Sequence, residues 1–305
     1  MTAQDRRPVA VLASRIRLEE KLLLAELERR WVRFEVVDTR RTVFLGGAEL
    51  PYRGAVSREI SHTRNAYATQ LLERAGIPVV NRWQTVSLCG DKLLTTLALE
   101  AAGLPVPRWM VTLTPEGALS ALTDFGYPAV VKPVVGSWGQ LAARLDGPDA
   151  AEAVLEHRAA LSNPTNQVTY VQEYIDKPSR DIKAYVIGGE VVGAIYKVSE
   201  EWRTKTRRGG TPQVCPLDDE LIGLLRSASA VAGEGVLGID VLEHRDGTRY
   251  VNEINHTPEF HGALEVLPVN LVARYVDFVL DRLGTATDDP WTDPASGHAP
   301  HTEDT

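Results

Sequence analysis

Lys132 closes the apolar run Ala129-Val130-Val131 and is followed by Pro133 and then by Gly136-Ser137-Trp138-Gly139. A cation at a strand end beside a glycine-bearing loop can wrap phosphate oxygens with an ammonium and backbone N–H groups. The same pair also describes a surface lysine before an ordinary turn, and neither a Walker loop nor a dinucleotide glycine fingerprint is present. Farther along, Asp240 lies in Gly238-Ile239-Asp240-Val241, and Glu253 and Asn255 lie in Val251-Asn252-Glu253-Ile254-Asn255. Residues two apart on a strand share a face, so Glu253 and Asn255 point together and a hairpin can bring Asp240 opposite them. Mg²⁺ takes one or two carboxylates and leaves the rest of its shell to water and phosphate oxygens, which this set allows. An exposed polar hairpin face is the bland alternative. Between the two groups lie Gln172-Glu173-Tyr174-Ile175, Arg180-Asp181-Ile182-Lys183, and a basic run, Arg203, Lys205, Arg207 and Arg208, before Gly209-Gly210. Alone, that run reads as a solvated loop.

The elements that must carry these residues follow from periodicity. Pro8 to Ala13 reads as a strand, Leu18 to Trp31 as an amphipathic helix and Phe34 to Val37 as a strand, a succession that implies a parallel sheet. Ala66 to Arg74 continues as helix and Ile77 to Val80 as strand. A helix from Gly90 to Ala102 carries Lys92 and is stopped by Gly103, Pro105 and Pro107. After a helix at Pro115 to Asp124, the run ending at Lys132 is a buried strand. Val168 to Ile175, Asp181 to Ile187 and Val191 to Tyr196 read as antiparallel strands, with Gly188-Gly189 as a hairpin turn. A helix at Glu220 to Ala232, strands at Gly238 to Leu242 and Arg249 to Ile254, and a helix at Leu271 to Leu283 complete the pattern.

At 305 residues the chain is long enough for more than one compact unit. Hydrophobic residues make up 44% and charged residues 24%, with no apolar run long enough to span a bilayer, which describes a soluble protein with no membrane segment. The start carries no cationic, apolar and cleavage-site succession, so export is not expected and a cytoplasmic location is. Cys89 and Cys215 lie far apart and suggest neither a disulfide framework nor a zinc site. The net charge is -8, but the unpatterned tail beyond Gly284 contributes five of those negative charges (Asp288, Asp289, Asp293, Glu303, Asp304). The net charge argues mildly against a nucleic-acid partner, and none is expected, but the body is too near neutral to decide partners by itself.

Taken in order, a lysine on a helix, a lysine before a glycine loop, a Gln-Glu-aromatic-Ile segment, Asp-x-Lys, a basic loop, then Asp and Glu-x-Asn on paired strands resembles the ATP-grasp ligases over roughly residues 8 to 284. The resemblance implies an α/β chain, α+β in its ATP-binding part. A pre-ATP-grasp parallel-sheet domain would span 1–85, a central lid subdomain 86–170 and a C-terminal subdomain with the metal site 171–284, the last two clasping ATP. Residues 285–305 would be a disordered tail. Lys92 and Lys132 would hold the α- and β-phosphates, and Gly136, Ser137, Trp138 and Gly139 would close over the β- and γ-phosphates. Gln172 belongs to the same nucleotide set, backbone groups of Glu173, Tyr174 and Ile175 would bind adenine, and Asp181 the ribose hydroxyls. Lys183, Arg203 and Arg208 would neutralise the transferred phosphoryl group, while Asp240, Glu253 and Asn255 would hold two Mg²⁺, with Mn²⁺ able to substitute. Such chemistry needs positioning and charge neutralisation more than a covalent residue.

Within that superfamily Cys89-Gly90-Asp91-Lys92, Arg180-Asp181-Ile182 and Asn252 to Phe260 are similar to the lysine-biosynthesis ligases called LysX and to the related RimK-like glutamate ligases. The resemblance implies that a small acidic amino-group carrier protein presents its C-terminal Glu, whose side-chain carboxylate is phosphorylated and then attacked by the α-amine of 2-aminoadipate or glutamate. Arg203, Arg208, Gly209, Asn255, His256, Thr257 and Glu259 would meet the substrates, and a homodimer or homotetramer is implied. Lys205, Pro258 and His261-Gly262 depart from the pattern near the expected acyl and amine pocket. Two alternatives stay open, a ligase that extends a protein or peptide terminus with glutamate and a non-catalytic ATP-binding module.

Overall fold

The computed structural model describes residues 7–136, 139–199, 201–202 and 211–284. The chain opens with β1 (Val9–Leu12), α1 (Leu18–Arg29), β2 (Phe34–Val37), β3 (Gly54–Ser57), α2 (His62–Arg74) and β4 (Val79–Val80). These strands form a parallel sheet in the order β2-β1-β3-β4. Every residue of β1 is buried. A parallel strand covered on both faces needs apolar residues at each position, hence the unbroken run Val9 to Leu12. β3 corrects the sequence reading, which had no strand there. Gly54 and Ala55 have little strand preference, and the segment becomes a strand because β1 offers it an edge in the register Val9↔Gly54 to Leu12↔Ser57. α2 likewise starts at His62 rather than Ala66.

Two helices, α3 (Trp83–Cys89) and α4 (Lys92–Ala101), lead to the middle of the chain. α4 begins after Gly90 because Asp91 is its N-cap, with Oδ1 accepting from the amides of Leu93 at 2.9 Å and Leu94 at 3.1 Å. Next come β5 (Trp109–Thr112), α5 (Pro115–Phe125), β6 (Ala129–Lys132), β7 (Ala143–Leu145), α6 (Pro148–Ala159), α7 (Pro164–Gln167) and β8 (Thr169–Glu173). Their strands make an antiparallel sheet in the order β5-β8-β6-β7. Ala118 and Leu122 of α5 and Ala151 and Leu155 of α6 bury against Ala129, Val131 and Val171. β8 belongs whole to this sheet, so a boundary at residue 170 falls inside a strand.

The remaining strands are β9 (Arg180–Ile187), β10 (Glu190–Val198), β11 (Thr211–Val214), β12 (Val236–Glu243) and β13 (Arg249–Asn255). They form a second antiparallel sheet, β11-β10-β9-β12-β13, with α8 (Asp219–Ala232) between β11 and β12 in sequence. Gly188 and Gly189 make the β9–β10 turn at φ of +59° and +81°, where any other residue would be strained. Alternation along β9 decides which helix covers which face. Ile182, Ala184 and Val186 pack with Leu221 and Leu225 of α8. Tyr185 and Ile187 instead pack with Tyr275, Val276 and Val279 of α10 (Leu271–Leu283), which follows the short α9 (His261–Leu264). Val9 and Val11 of β1 join that same cluster, so the first and last units share one core. Each fully buried side chain of this size stabilises by roughly 1.5–3 kcal/mol, enough to hold the units as a single body around what lies between them.

Candidate active site

A cavity of about 1230 Å³ is lined by strands of the two antiparallel sheets and by the segments that follow β1 and β3, and reaches from Ile175 to His261. Single-ligand pockets usually enclose about 300–1,000 Å³, so there is room for a nucleotide and a second substrate. At its centre β6 delivers Lys132, whose Nζ donates to Gln172 Oε1 at 2.5 Å and to Asn252 Oδ1 at 2.8 Å. Gln172 is held in turn by Tyr170, its Nε2 lying 2.7 Å from the Tyr170 hydroxyl, which meets Thr96 Oγ1 at 2.7 Å. Burial pushes Lys132 down to about 8, with the Glu253 carboxylate opposing that and the Lys92 ammonium adding to it.

The start of α4 is tied to the loop after β6 twice. The Lys92 amide donates to Val134 O at 2.8 Å, and Lys92 Nζ donates to Gly136 O at 2.6 Å. An ammonium, a helix N-terminus and a glycine loop thereby converge where an anion would be stabilised. Gly139 also lines the cavity, with φ +62°. Ser137 and Trp138 lie outside the described residues.

On the C-terminal sheet Asp240 pairs with Glu253 on one side and with Lys183 on the other. Lys197 Nζ donates to Asp240 Oδ1 at 2.7 Å, and Asn255 Nδ2 to Oδ2 at 2.8 Å. Burial raises the Asp240 pKa, but the ammoniums of Lys183 and Lys197 outweigh it and hold the carboxyl well below its usual range. The hairpin is irregular: Asp240 faces Glu253 while Val241 faces Val251, so Asn252 is the extra residue of a β-bulge. The bulge is why Asn252 and Glu253, adjacent in sequence, both line the cavity. Lys92 Nζ lies 3.7 Å from Glu253 Oε2. Among the described residues no cluster of three or more His, Cys, Asp or Glu could hold a metal ion. Two carboxylates and one carboxamide do fit a hard divalent cation that takes its remaining ligands from phosphate oxygens and water.

The amides of Glu173 and Tyr174 are already used, donating to Arg108 O at 2.9 Å and Pro128 O at 3.2 Å. Among the described residues the Ile175 amide has no protein partner, so it is the donor this segment can offer a base. Asp181 is ion-paired with Lys177 at the same end.

At the opposite end lie His256, Thr257 and Glu259. Burial, with His62 and Arg58 adding to it, pushes His256 down to about 3, so its ring is neutral near pH 7. Its Nδ1 meets Thr257 Oγ1 at 2.9 Å and Asn65 Nδ2 at 3.4 Å. His256 could orient a substrate carboxylate as a neutral hydrogen-bond donor, not as a cation. The Glu259 carboxylate is engaged by Arg17 Nη1 at 3.0 Å. Arg203, Arg208 and Gly209 fall outside the described residues. Lys197, Asn252 and Asn65 were not singled out in the sequence. The alternation of β10 places Lys197 on the face of Asp181, Lys183 and Asp240 only once the register is known, whereas Asn252 next to Glu253 carried a weak signal.

A parallel-sheet domain, followed by two antiparallel sheets with helices that enclose a lysine-lined cavity, is the ATP-grasp architecture. A family model described as the RimK-like ATP-grasp domain matches residues 89–279, and one described as the LysX preATP-grasp domain matches residues 9–88. The chain belongs to the RimK-like ATP-grasp family and is a ligase. It is 34% identical over 274 residues to a Glutamate–LysW ligase ArgX of Sulfolobus acidocaldarius, covering 89% of this chain and 97% of that one. It is also 34% identical to an Alpha-aminoadipate–LysW ligase LysX of Saccharolobus solfataricus, over 71% of this chain and 79% of that one. The crystal structure of a RimK domain ATP-grasp protein from Sphaerobacter thermophilus superposes with a TM-score of 0.76 at 27% identity, covering 90% and 99% of the two chains. Among the described residues no helix is long and apolar enough to cross a membrane.

Proposed function

We propose that the chain uses ATP and Mg²⁺ to phosphorylate the side-chain carboxylate of the C-terminal Glu of a small acidic amino-group carrier protein, and joins it to the α-amine of glutamate or 2-aminoadipate. The observation that carries this reading is one cavity that holds Lys132, with its Gln172 and Asn252 partners, together with His256, Thr257, Glu259 and His261. A phosphoryl donor and an amine acceptor must meet in one dry space, because the acyl phosphate would otherwise be lost to water. LysW appears in the names of both relatives, which points to a carrier of that kind.

In this reading Lys92, Lys132 and the Gly136 to Gly139 loop hold the phosphates, with Ile175 and the Glu173 carbonyl at adenine and Asp181 at ribose. Lys183 and Lys197, with Arg203 and Arg208, neutralise charge that develops on the transferred group. Asp240, Glu253 and Asn255 would hold Mg²⁺, which supplies further neutralisation of phosphate charge when bound. The α-ammonium loses one proton to water, and the free amine attacks the acyl carbon; the carbon–oxygen bond to phosphate breaks, and the departing phosphate takes the second amine proton. His256, neutral near pH 7, and Thr257 orient that amino acid. A soluble dimer or tetramer working in the cytoplasm fits the same reading.

The test is to incubate the protein with ATP, Mg²⁺, a carrier ending in Glu and each amino acid in turn, then weigh the carrier. A gain of one amino acid with equimolar ADP is expected. A ladder of added glutamates would point to terminus extension, and ATP binding with no ADP release to a binding module; either result overturns the proposal.

A further inference from the structure

The segment from His256 to His261 belongs in sequence to the C-terminal unit, where Tyr185 donates to Glu259 O at 3.2 Å, yet most side-chain bonds that fix it come from the first domain. Asn81 Nδ2 donates to His256 O at 2.6 Å, and Arg58 Nη1 to Pro258 O at 3.2 Å. Arg17 Nη1 donates to Glu259 Oε1 at 3.0 Å. Glu19 Oε1 takes His261 Nδ1 at 2.7 Å and the amides of Phe260 and His261 at 3.3 and 3.4 Å. The partners sit at the start of α1, at the end of β3 and after β4, and are brought together by the shared core.

Behind Glu259 the contacts form a chain. Glu20 accepts from the Arg17 amide at 2.9 Å, from Arg17 Nε at 3.0 Å and Nη2 at 2.9 Å, and from Arg58 Nε at 2.9 Å. The Arg58 and Glu20 side chains are fully buried. A buried pair of this kind stabilises no better than apolar side chains of the same size, and its best-attested use is to fix one arrangement among several. Arg17 is different, since its side chain retains 15% exposure and that of Glu259 32%, at the cavity wall. The chain therefore runs from a buried anchor to a carboxylate beside the space assigned to the amine.

We propose that Arg17 is a positioning residue: anchored by Glu20 and Arg58, it holds Glu259 and the 256–261 segment in the shape that binds the amine substrate, so that the first domain sets amine affinity. This rests on the proposed function for the assignment of that segment to the amine. The alternative is a clamp that only stabilises the fold. The two differ in what they leave untouched. A positioning role changes amine binding alone, because Lys132, Asp240 and the nucleotide end are reached through other contacts. A stabilising clamp lowers melting temperature and all kinetic constants together.

The experiment compares wild type with Arg17→Ala, Arg17→Lys, Glu259→Ala and the double variant Arg17→Ala/Glu259→Ala, sparing the buried Arg58. Measured are KM for the amino acid, KM for ATP, and hydroxamate formed when hydroxylamine replaces the amino acid. Arg17→Ala should raise the amino-acid KM about tenfold, the scale of one charge-assisted contact, and leave ATP KM and hydroxamate formation within about twofold. Arg17→Lys should recover part of the loss, and Arg17→Ala should add nothing on the Glu259→Ala background. Equal loss in all three readouts, or none, overturns the proposal. If wild type forms no hydroxamate with any carrier, the ligase reading fails instead. Amide exchange of residues 256–261 then still decides the holding: unchanged exchange in Arg17→Ala overturns it.

Discussion

Lys132 and Asn252 lie 120 residues apart in sequence and meet at 2.8 Å, Nζ to Oδ1, across the cavity between the central and C-terminal sheets. The contact exists because a β-bulge turns Asn252 inward beside Glu253. It links β6, which presents Lys132, to β13, which presents Glu253.

Replacing Asn252 with Ala removes one of the two oxygens that receive the Lys132 ammonium. Nucleotide affinity should fall about ten- to a hundredfold, the scale of one hydrogen bond to a charged group. Calorimetric titration with ADP checks this.

The depressed pKa of Lys132, about 8 against an ordinary 10.5, gives a pH dependence with a definite sign. Between those values the folded state binds fewer protons than the unfolded one, so this group's contribution to stability increases as pH rises through that window. Nucleotide binding goes the other way: the ammonium that phosphate needs is lost above about pH 8, and ADP affinity should fall from pH 7 to pH 9. An affinity that is flat across that range would count against Lys132 as a phosphate ligand.

Asp240→Asn should leave Lys183 and Lys197 without their shared counter-ion and remove a proposed metal ligand. Turnover should drop at least about 100-fold, the scale of losing an electrostatic element of a phosphoryl-transfer site, while ADP still binds. An ADP-release assay across Mg²⁺ concentrations measures it, and recovery of full turnover at high Mg²⁺ would restrict Asp240 to metal affinity.

Glu20 accepts four charge-assisted bonds and is held at about 2 although burial alone would raise it. Its contribution, on the order of 3 kcal/mol, is complete above its unfolded pKa of about 4.5 and is lost as pH falls through about 2. Glu20→Gln should therefore flatten the acid limb of stability between those values, as urea unfolding at pH 7, 4 and 3 would reveal. Arg58→Ala removes one of the two cations on that buried carboxylate, Arg17 remaining, and should cost about 1–3 kcal/mol.

Tyr170→Phe breaks the run of bonds from Thr96 through Gln172 to Lys132, whose Tyr170 contacts are 2.7 Å each. A loss of about 1 kcal/mol in stability is expected with a several-fold rise in ATP KM. Thermal unfolding and steady-state kinetics separate the two effects.

Periodicity and turn chemistry were enough to place β1, β2, β6, β12, β13 and α10, because each is a local pattern: apolar alternation, an unbroken buried run, or an amphipathic face. The same patterns put Lys132 at a strand end and Glu253 with Asn255 on one face. β3 was not legible, since Gly54 and Ala55 carry no strand signal and only the edge of β1 makes them one. Nor was the assignment of β8, whose composition suits either antiparallel sheet. By itself, then, the sequence determined which residues could bear the chemistry and the elements that carry them. Tertiary structure alone decided which of them touch: that Lys197 covers Asp240, that Asn252 receives Lys132, and that Arg17 reaches Glu259 across 242 residues. A period reports the face a side chain occupies but not the partner that face will meet, which depends on register, on one bulge, and on two domains closing over a shared core.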